Sequence, residues 1–473
     1  MNGSNALETI ESGRPQFFYP ENNGREGLFL NLQALSVAAF GHDEFALRFP
    51  AAIFGILTVW GLYSLGAELL SVPAGLVAAF FLATSFWHLD FSRLGLRAIA
   101  APFFLVWALY LLLRAGGRVM AGRSSAALTI SAGVVYGLGF HTYIAYRVTP
   151  PLLLGVIIFF FFRARATGSL PQYWVFAAIF CAAAVLTVLP LALYFVQHPA
   201  MFSGRSAQVS ILNAPAIATN LVENAWKTAQ MFFFSGDPNW RHNYDGEREL
   251  FWPVALLFAF GLVRAALAVR DWIRKPREQG RLGLAAAVAL TWLVLAAIPA
   301  ILADSAPHAL RALLTTPAVF LLAAMGAMAA WDYVPASLGG AARAGILALG
   351  AGFCCYQTWH TYFDLWARDP RVPVNFMAPL DDFAARIRGT PTDRPRYIAA
   401  TYMGDRANGI PVLLQPFAYL TGTYTAKQQN AANLHYLTPE SLPSAPAGNS
   451  FCEHAKASLP GAEVLCLNLR SGK

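Results

Sequence analysis

Long apolar stretches separated by short polar turns run through most of the chain, and their lengths are the first guide to its fold. Ten of these stretches approach the ~20 residues that a helix needs to cross a ~30 Å hydrocarbon core. They predict an α-helical polytopic membrane protein with about ten transmembrane helices. The predicted spans cover about residues 47–67, 73–89, 98–113, 125–143, 148–162, 173–195, 251–269, 282–302, 311–331 and 344–360.

Two other stretches have the spacing of helices that lie along a membrane surface. In residues 28–40 and 219–234, apolar side chains recur at every third or fourth position, and polar side chains lie off that stripe. Glu223 and Lys227 form an i,i+4 pair on the polar face of the second stretch. We predict two interfacial helices at the outer surface, with ordinary loop helices as the alternative.

Beyond about residue 361 the apolar runs stop and prolines and arginines become frequent. Residues 379–388, followed by Gly389, predict a short helix, and residues 397–402 and 464–469 predict strands. We therefore expect a small α/β domain that faces outward. The predicted domains are 1–46, an outward-facing loop with an interfacial helix; 47–360, a transmembrane domain with a large outer loop at 196–250; and 361–473, the C-terminal domain.

Composition and charge support a membrane protein and indicate its orientation. Of the 473 residues, 56% are hydrophobic and 13% are charged, whereas soluble domains have roughly 25% charged residues. The net charge of +8 follows no basic stripe or nucleic-acid motif, so we expect no nucleic-acid partner. Short loops on one face carry 11 Lys and Arg residues, which assigns that face to the cytoplasm: Arg114, Arg118, Arg123, Arg163, Arg165, Arg270, Arg274, Lys275, Arg277, Arg281 and Arg343.

This orientation places both termini and the 196–250 loop outside the cytoplasmic (inner) membrane. Two cysteines, Cys452 and Cys466, lie in polar sequence within the outward-facing C-terminal domain. They can form a disulfide if that compartment is oxidising. The other three cysteines lie in apolar runs, which is typical of packing residues.

Four arginines on the outer face run against the topology rule. Arg93, Arg97, Arg147 and Arg311 each stand beside aromatic, histidine or hydroxyl residues. Any single one can be explained by a guanidinium that snorkels to the interface. Four on one side favour a site for a lipid-linked phosphate, which guanidinium groups bind in a bidentate way.

Three outward stretches, residues 22–27, 235–243 and 304–311, combine carboxylate, imidazole and guanidinium groups. A carboxylate near an imidazole can bind a divalent metal ion, or can pair as a catalytic base and its orienting group. Glu26 with His242 is the pair that we predict for either role. The alternative is that the stretches are solvated loops that do not meet. Other residues that we place in a possible cleft are Arg25, Asp237, Arg241, Asp304 and His308.

Five short blocks resemble those of GT-C membrane glycosyltransferases, and most of all the protein O-mannosyltransferase and aminoarabinose transferase branch. The resemblance covers about residues 1–330, and each block alone is weakly specific. The blocks are Asn22-Asn23-Gly24-Arg25-Glu26, Ala46-Leu47-Arg48-Phe49-Pro50, Phe91-Ser92-Arg93, Asn239-Trp240-Arg241-His242-Asn243 and Ala309-Leu310-Arg311.

The resemblance implies transfer of a sugar from a polyprenyl-phosphate donor to a lipid, glycan or protein acceptor at the outer face of the membrane. Glu26 matches a family glutamate that helps to hold a metal ion, and His242 lies in the loop that supplies a histidine ligand. Arg93 and Arg97 resemble the arginines that bind the donor phosphate. Membrane lipids are the remaining partners that we expect.

One departure from the family pattern concerns the catalytic carboxylate. The family has an Asp-Glu pair after an N-terminal span, and here Met1-Asn2-Gly3 stands where the sequence following that pair is expected. We expect either a truncated start or a degenerate, non-catalytic paralogue that binds the lipid-phosphate sugar. A transporter or flippase is another alternative, although such proteins usually carry charges near the membrane midplane and internal repeats, which we do not detect.

Overall fold

The computed structural model describes residues 1–21, 24–208, 217–275, 280–335, 337–389, 394–400, 406–437, 442 and 449–467. Helices dominate this part of the chain. The elements of the first half are α1 Asn2–Ser12, β1 Phe18–Tyr19, β2 Arg25–Glu26, α2 Gly27–Phe40, α3 Glu44–Leu69, α4 Val72–Ala83, α5 Phe86–Phe91, α6 Ala100–Met120, α7 Ala126–Gly139, α8 Pro150–Thr167, α9 Leu170–Gln197, α10 Pro199–Gln208 and α11 Ile217–Gln230.

Helices continue through the second half until a small sheet forms near the C-terminus. The elements are α12 Trp252–Arg274, α13 Gly280–Ile301, α14 Ala309–Ala312, α15 Thr316–Trp331, α16 Gly340–Trp359, α17 Arg371–Asn375, α18 Pro379–Arg388, β3 Arg396–Ala400, β4 Arg406–Ala407, β5 Ile410–Pro411, α19 Gln415–Thr421, α20 Ala426–Ala432, β6 Leu434–Leu437, α21 Asn449–Ser458 and β7 Glu463–Leu467.

The helices confirm a multi-pass α-helical membrane protein. Among the described residues, seven helical segments are long and apolar enough to cross a membrane. Each of the ten predicted spans overlaps a helical segment, and one of them, residues 73–89, overlaps two helices. The seven segments are Glu44–Leu69, Arg97–Met120, Ile144–Thr167, Leu170–Gln197, Trp252–Arg274, Gly280–Ile301 and Ala309–Trp331; α4 and α7 are apolar but shorter, and α16 has 20 residues.

The predicted span 73–89 is divided in two at Thr84 and Ser85. The hydroxyl of Thr84 donates to the carbonyl oxygen of Phe80 at 2.8 Å, which closes the last turn of α4. Ser85 then takes an extended conformation (φ −89°, ψ 128°), so α4 ends and a separate helix, α5, begins at Phe86. Short hydroxyl side chains compete with helical hydrogen bonds in this way.

Chain Ala51–Val372 forms one of two compact units, here called the transmembrane unit. Its helices approach each other closely where glycines face one another. A Cβ on Gly261 of α12 would overlap the carbonyl of Leu322, and a Cβ on Gly326 of α15 would overlap the carbonyl of Leu257. Small residues allow the two backbones to approach closely. In lipid no hydrophobic effect drives helices together, so their association depends on van der Waals contact of this kind.

Met1–Pro50 and Pro373–Lys473 form the second compact unit, here called the terminal unit. The predicted division placed these two segments in separate domains. They share one core because apolar side chains of α1 and α2, such as Leu7 and Val37, pack with Leu380, Ile398 and Phe417. A buried hydrogen bond of 2.6 Å from Ser4 Oγ to Gln415 Oε1 adds a polar contact to this core.

The C-terminal part of the terminal unit has the predicted α/β character. Strands β6, β3 and β7 form a parallel sheet in that order, and α18 begins and ends at the predicted residues 379 and 388. Within the described residues, β3 and β7 match the two predicted strands. The last two residues of each predicted strand lie outside the described residues. The sheet therefore confirms a small α/β element after the spans.

Cys452 of α21 and Cys466 of β7 form the disulfide that the sequence allowed. We expect peptides that contain the two residues to be cross-linked when the protein is isolated from cells with its thiols blocked, because the predicted orientation places this segment in an oxidising compartment. Mass spectrometry without reduction measures this. Free thiols at both positions, with the same alkylation as the exposed Cys355, would contradict the outward orientation of this unit.

Candidate active site and metal centre

The loop between α11 and α12 folds back on itself through its own short polar side chains. Asp237 Oδ1 accepts the backbone N–H of Asn239 at 2.9 Å, and Asn239 Oδ1 accepts the N–H of Arg241 at 3.0 Å. Asp and Asn favour such turns because their side chains reach the backbone two residues ahead. A single bridge between Ser235 and Glu247 closes the loop at its base. The turns present the other carboxylate oxygen of Asp237 to the interior.

That oxygen is the centre of a buried cluster. Asp237 Oδ2 lies 3.0 Å from His242 Nδ1 and 3.6 Å from His308 Nδ1, and it accepts the N–H of Ala309 at 2.8 Å. The two imidazole rings stack with 5.3 Å between centroids. One potential ligand atom from each of the three side chains lies within 4.8 Å of the others. Residues about 70 positions apart thus meet at a single carboxylate.

Burial and mutual contact shift the titration of the cluster. Burial alone would raise the pKa of Asp237, but its hydrogen bond with His242 and the nearby histidine charges lower it overall. Burial lowers the pKa of His308 to about 4, against a smaller opposing effect of Asp237. At neutral pH the cluster therefore holds a carboxylate beside a neutral His308, which are the states in which both side chains bind metal ions.

The donor set fits a divalent metal ion such as zinc. Two imidazoles and one carboxylate are a known three-ligand set that leaves a fourth position open. His308 Nδ1 is buried and has no hydrogen-bond partner among the described residues. A buried polar atom without a partner is costly, and a metal ion would satisfy it.

Glu249 contacts the cluster and was not among the site residues predicted from the sequence. Its Oε1 accepts the N–H of Asp237 at 3.1 Å. Burial raises the pKa of Glu249 well above its usual range. The hydrogen bond from the Asp237 backbone lowers this pKa by a smaller amount, and the nearby carboxylates of Asp237 and Asp90 raise it further. One feature of the sequence could have indicated Glu249, namely that this carboxylate lies two residues before the predicted span 251–269.

The four arginines that we predict on the outer face make separate contacts within the transmembrane unit. Arg311 pairs with Asp304 at 3.0 Å. The Arg93 guanidinium lies 5.3 Å from the ring centre of Tyr362, and Arg97 is buried and lies 5.6 Å from that of Tyr143. Arg147 lies 4.5 Å from the ring centre of Phe202 and 5.1 Å from that of Phe195. Their joint role in binding one phosphate stays a prediction.

Glu26 and Arg25 belong to the terminal unit, at the point where β2 leads into α2. Both are buried, and Arg25 donates to the side-chain oxygens of Asn2 and Asn5. The predicted contact between Glu26 and His242 stays a prediction. The partners that the structure gives His242 are Asp237 and His308, which the sequence analysis placed in the wider cleft.

Comparisons with known proteins agree with this architecture. A family model described as dolichyl-phosphate-mannose-protein mannosyltransferase matches residues 28–191. ArnT from Cupriavidus metallidurans bound to undecaprenyl phosphate has a TM-score of 0.54 at 14% identity, over 93% of this chain and 85% of that chain. The chain has the GT-C fold. ArnT in its apo state has a TM-score of 0.51 at 13% identity, over 98% and 83% of the two chains.

This likeness of fold agrees with the GT-C resemblance of the five sequence blocks. No protein of curated function matches the chain by sequence. Two of the five blocks, residues 239–243 and 309–311, contain His242 and Ala309, so these two blocks and the Asp237 cluster lie in the same part of the transmembrane unit.

We expect His242→Ala and His308→Ala to remove bound zinc from the purified protein, because each deletes one of three ligands. Metal content by mass spectrometry after incubation with zinc and desalting measures this. His198→Ala is the matched control, since His198 stacks on Tyr194 outside the cluster. Equal zinc in the wild type and a His242→Ala/His308→Ala double variant would exclude the site.

We also expect the metal-free protein to lose stability as the pH falls from about 6.5 to about 4. In this window the unfolded chain binds a proton at His308 that the folded chain excludes, so the free energy of unfolding decreases with acid. Thermal unfolding in detergent with a chelator, between pH 7.5 and 4.5, measures the slope. His308→Gln should flatten it and His198→Gln should not; equal slopes for His308→Gln and wild type would contradict the assignment.

Proposed function

We propose that the protein transfers a sugar from a polyprenyl-phosphate donor to an acceptor at the outer face of the cytoplasmic membrane. The GT-C fold supports this general class of reaction. The ArnT structure named above holds undecaprenyl phosphate. The orientation follows from the 11 cytoplasmic cations counted in the sequence.

The observation that carries the proposal is an apolar groove with one cation, Arg147, on its lining. The groove has a volume of about 560 Å³, and its lining includes Phe140, Leu191, Phe195 and Phe202 beside Arg147. A long hydrocarbon chain suits the apolar walls, and a phosphate suits the guanidinium. A lipid with an anionic head group combines both features, as a polyprenyl phosphate does.

The proposed reaction is direct displacement at the anomeric carbon of the donor sugar. A new bond forms between the acceptor oxygen and that carbon while the bond from the carbon to the phosphate oxygen breaks. The leaving phosphate carries the negative charge, which the outer arginines Arg93, Arg97, Arg147 and Arg311 would stabilise. The acceptor proton passes to a base of the protein.

His242 is our first candidate for the base. Asp237 Oδ2, 3.0 Å from Nδ1, would orient the imidazole and stabilise its protonated form, as a carboxylate does in other histidine-dependent sites. Glu26 is the second candidate, since the sequence predicts that it pairs with His242 either as a metal ligand or as a base. If Asp237, His242 and His308 hold a divalent metal ion instead, the ion would supply positive charge for the leaving phosphate, and Glu26 would be the base, because a metal-bound imidazole accepts no proton.

The first test is binding and transfer of a labelled polyprenyl-phosphate sugar by protein in liposomes. We expect Arg147→Ala to weaken donor binding roughly 10- to 100-fold, since hydrogen bonds to charged groups contribute about 1.5–3 kcal/mol. Arg114→Ala is the control, because Arg114 is exposed, contacts Tyr110 and lies on the predicted cytoplasmic face.

Three outcomes distinguish the alternatives. Binding and transfer that Arg147→Ala reduces would support the glycosyltransferase. Binding without transfer to any lipid, glycan or peptide acceptor would favour the non-catalytic paralogue. Movement of the labelled lipid between leaflets without transfer would favour the flippase, and equal donor binding by Arg147→Ala and wild type would remove the groove from the proposal.

A further inference from the structure

A second, more polar cavity lies in the transmembrane unit beside the Asp237 cluster. Its volume is about 240 Å³. The lining comes from the break between α4 and α5, from the loop before α12, from α15 and from the end of α16. Polar residues on this lining include Thr84, Ser85, Glu249, Gln357, Thr358 and Thr361.

Two residues of this lining are more than nine-tenths buried and have an oxygen without a partner. Ser85 is 8% exposed and Glu249 is 4% exposed. Ser85 Oγ and Glu249 Oε2 have no hydrogen-bond partner among the described residues. Buried polar groups are nearly always paired in folded proteins, so these two oxygens point to a ligand that completes their hydrogen bonds.

The cavity shares side chains with the cluster. Glu249 lines the cavity and also accepts the N–H of Asp237 through its other oxygen. Asn243, which follows His242 in the chain, lines the cavity as well. A ligand here would therefore lie one side chain away from the group that we propose as the base.

The chemistry of the lining selects the class of ligand. The faces of Phe86, Tyr244 and Phe251 provide apolar surface between the polar groups. The lining also holds one basic side chain, Arg248, whose Nε has no hydrogen-bond partner among the described residues. A hydrocarbon chain would leave these polar groups unpaired, and a bare phosphate would meet one basic side chain beside the two acidic ones, Glu247 and Glu249. A ring that carries several hydroxyl groups can donate and accept at once and can pack its carbon face on an aromatic ring.

We propose that this cavity binds one sugar ring through Ser85 and Glu249. The inference rests on the proposed function in that the ring belongs either to the donor or to the acceptor of the transfer. Gln357, which donates to Thr361 Oγ1 at 2.8 Å, adds a carbonyl and a second amide hydrogen to the lining.

Saturation-transfer NMR on the full chain in nanodiscs tests the proposal with methyl hexosides, pentosides and amino-sugar glycosides as probes. We expect at least one glycoside to bind, and Ser85→Ala to weaken it roughly three- to tenfold, as loss of one hydrogen bond does. The midpoint of thermal unfolding should stay equal or rise, because the variant removes a buried hydroxyl that lacks a partner. Gln357→Leu, similar in volume, is the second variant and should weaken binding as well.

Ser36→Ala is the matched control. Ser36 is also buried, at 6% exposure, and its hydroxyl also lacks a partner among the described residues, but it lies in α2 of the terminal unit. Ser36→Ala should leave glycoside binding unchanged. Absence of binding by the wild type, or binding by Ser85→Ala and Gln357→Leu equal to the wild type, would overturn the proposal.

Two further measurements identify whether the ring belongs to the donor or to the acceptor. If it belongs to the donor, farnesyl-phosphate sugar binds more tightly than farnesyl phosphate, and Ser85→Ala removes this difference in affinity. If it belongs to the acceptor, the difference in affinity persists in Ser85→Ala, and the KM for the acceptor rises in that variant. Glycoside binding that depends on Ser85, in a chain that binds no polyprenyl phosphate, would support this inference while contradicting the proposed function.

Discussion

The buried carboxylate of Asp237 is the group on which the site depends. A charged group that loses water must be compensated by hydrogen bonds or opposite charge, or it destabilises the fold. Asp237 obtains this compensation from the N–H groups of Asn239 and Ala309 and from the ring of His242. Those partners come from two loops that are remote in sequence, so satisfying one carboxylate also fixes how the loops meet.

The helices around the cluster give it a rigid setting. Trp87 Nε1 donates to the carbonyl oxygen of Ala309 at 3.2 Å, and the ring of Phe91 lies 5.5 Å from that of His242. Both aromatic residues belong to α5, the short helix that exists because the predicted span breaks at Thr84 and Ser85. The same break lines the polar cavity. One interruption of a helix therefore contributes to the cluster and to the cavity.

Lipid contact explains which parts of the fold were predictable. An apolar run of about 20 residues has few alternatives to a helix in a membrane, since every backbone polar group must be paired internally. The spans were accordingly predicted close to their observed limits. The exception is the break between α4 and α5, where the extended backbone of Ser85 interrupts the helix, a local feature that average hydropathy does not register.

Sequence alone determined the membrane class, the helices, the C-terminal α/β element and the residue types of the site, because these follow from local periodicity and composition. It named His242, Asp237 and His308 but proposed Glu26 as the partner of His242. The pairing of His242 with His308, and the support from Glu249, were decided by tertiary structure. Contacts between loops about 70 residues apart depend on how the intervening helices pack, and no local pattern in the chain encodes that geometry.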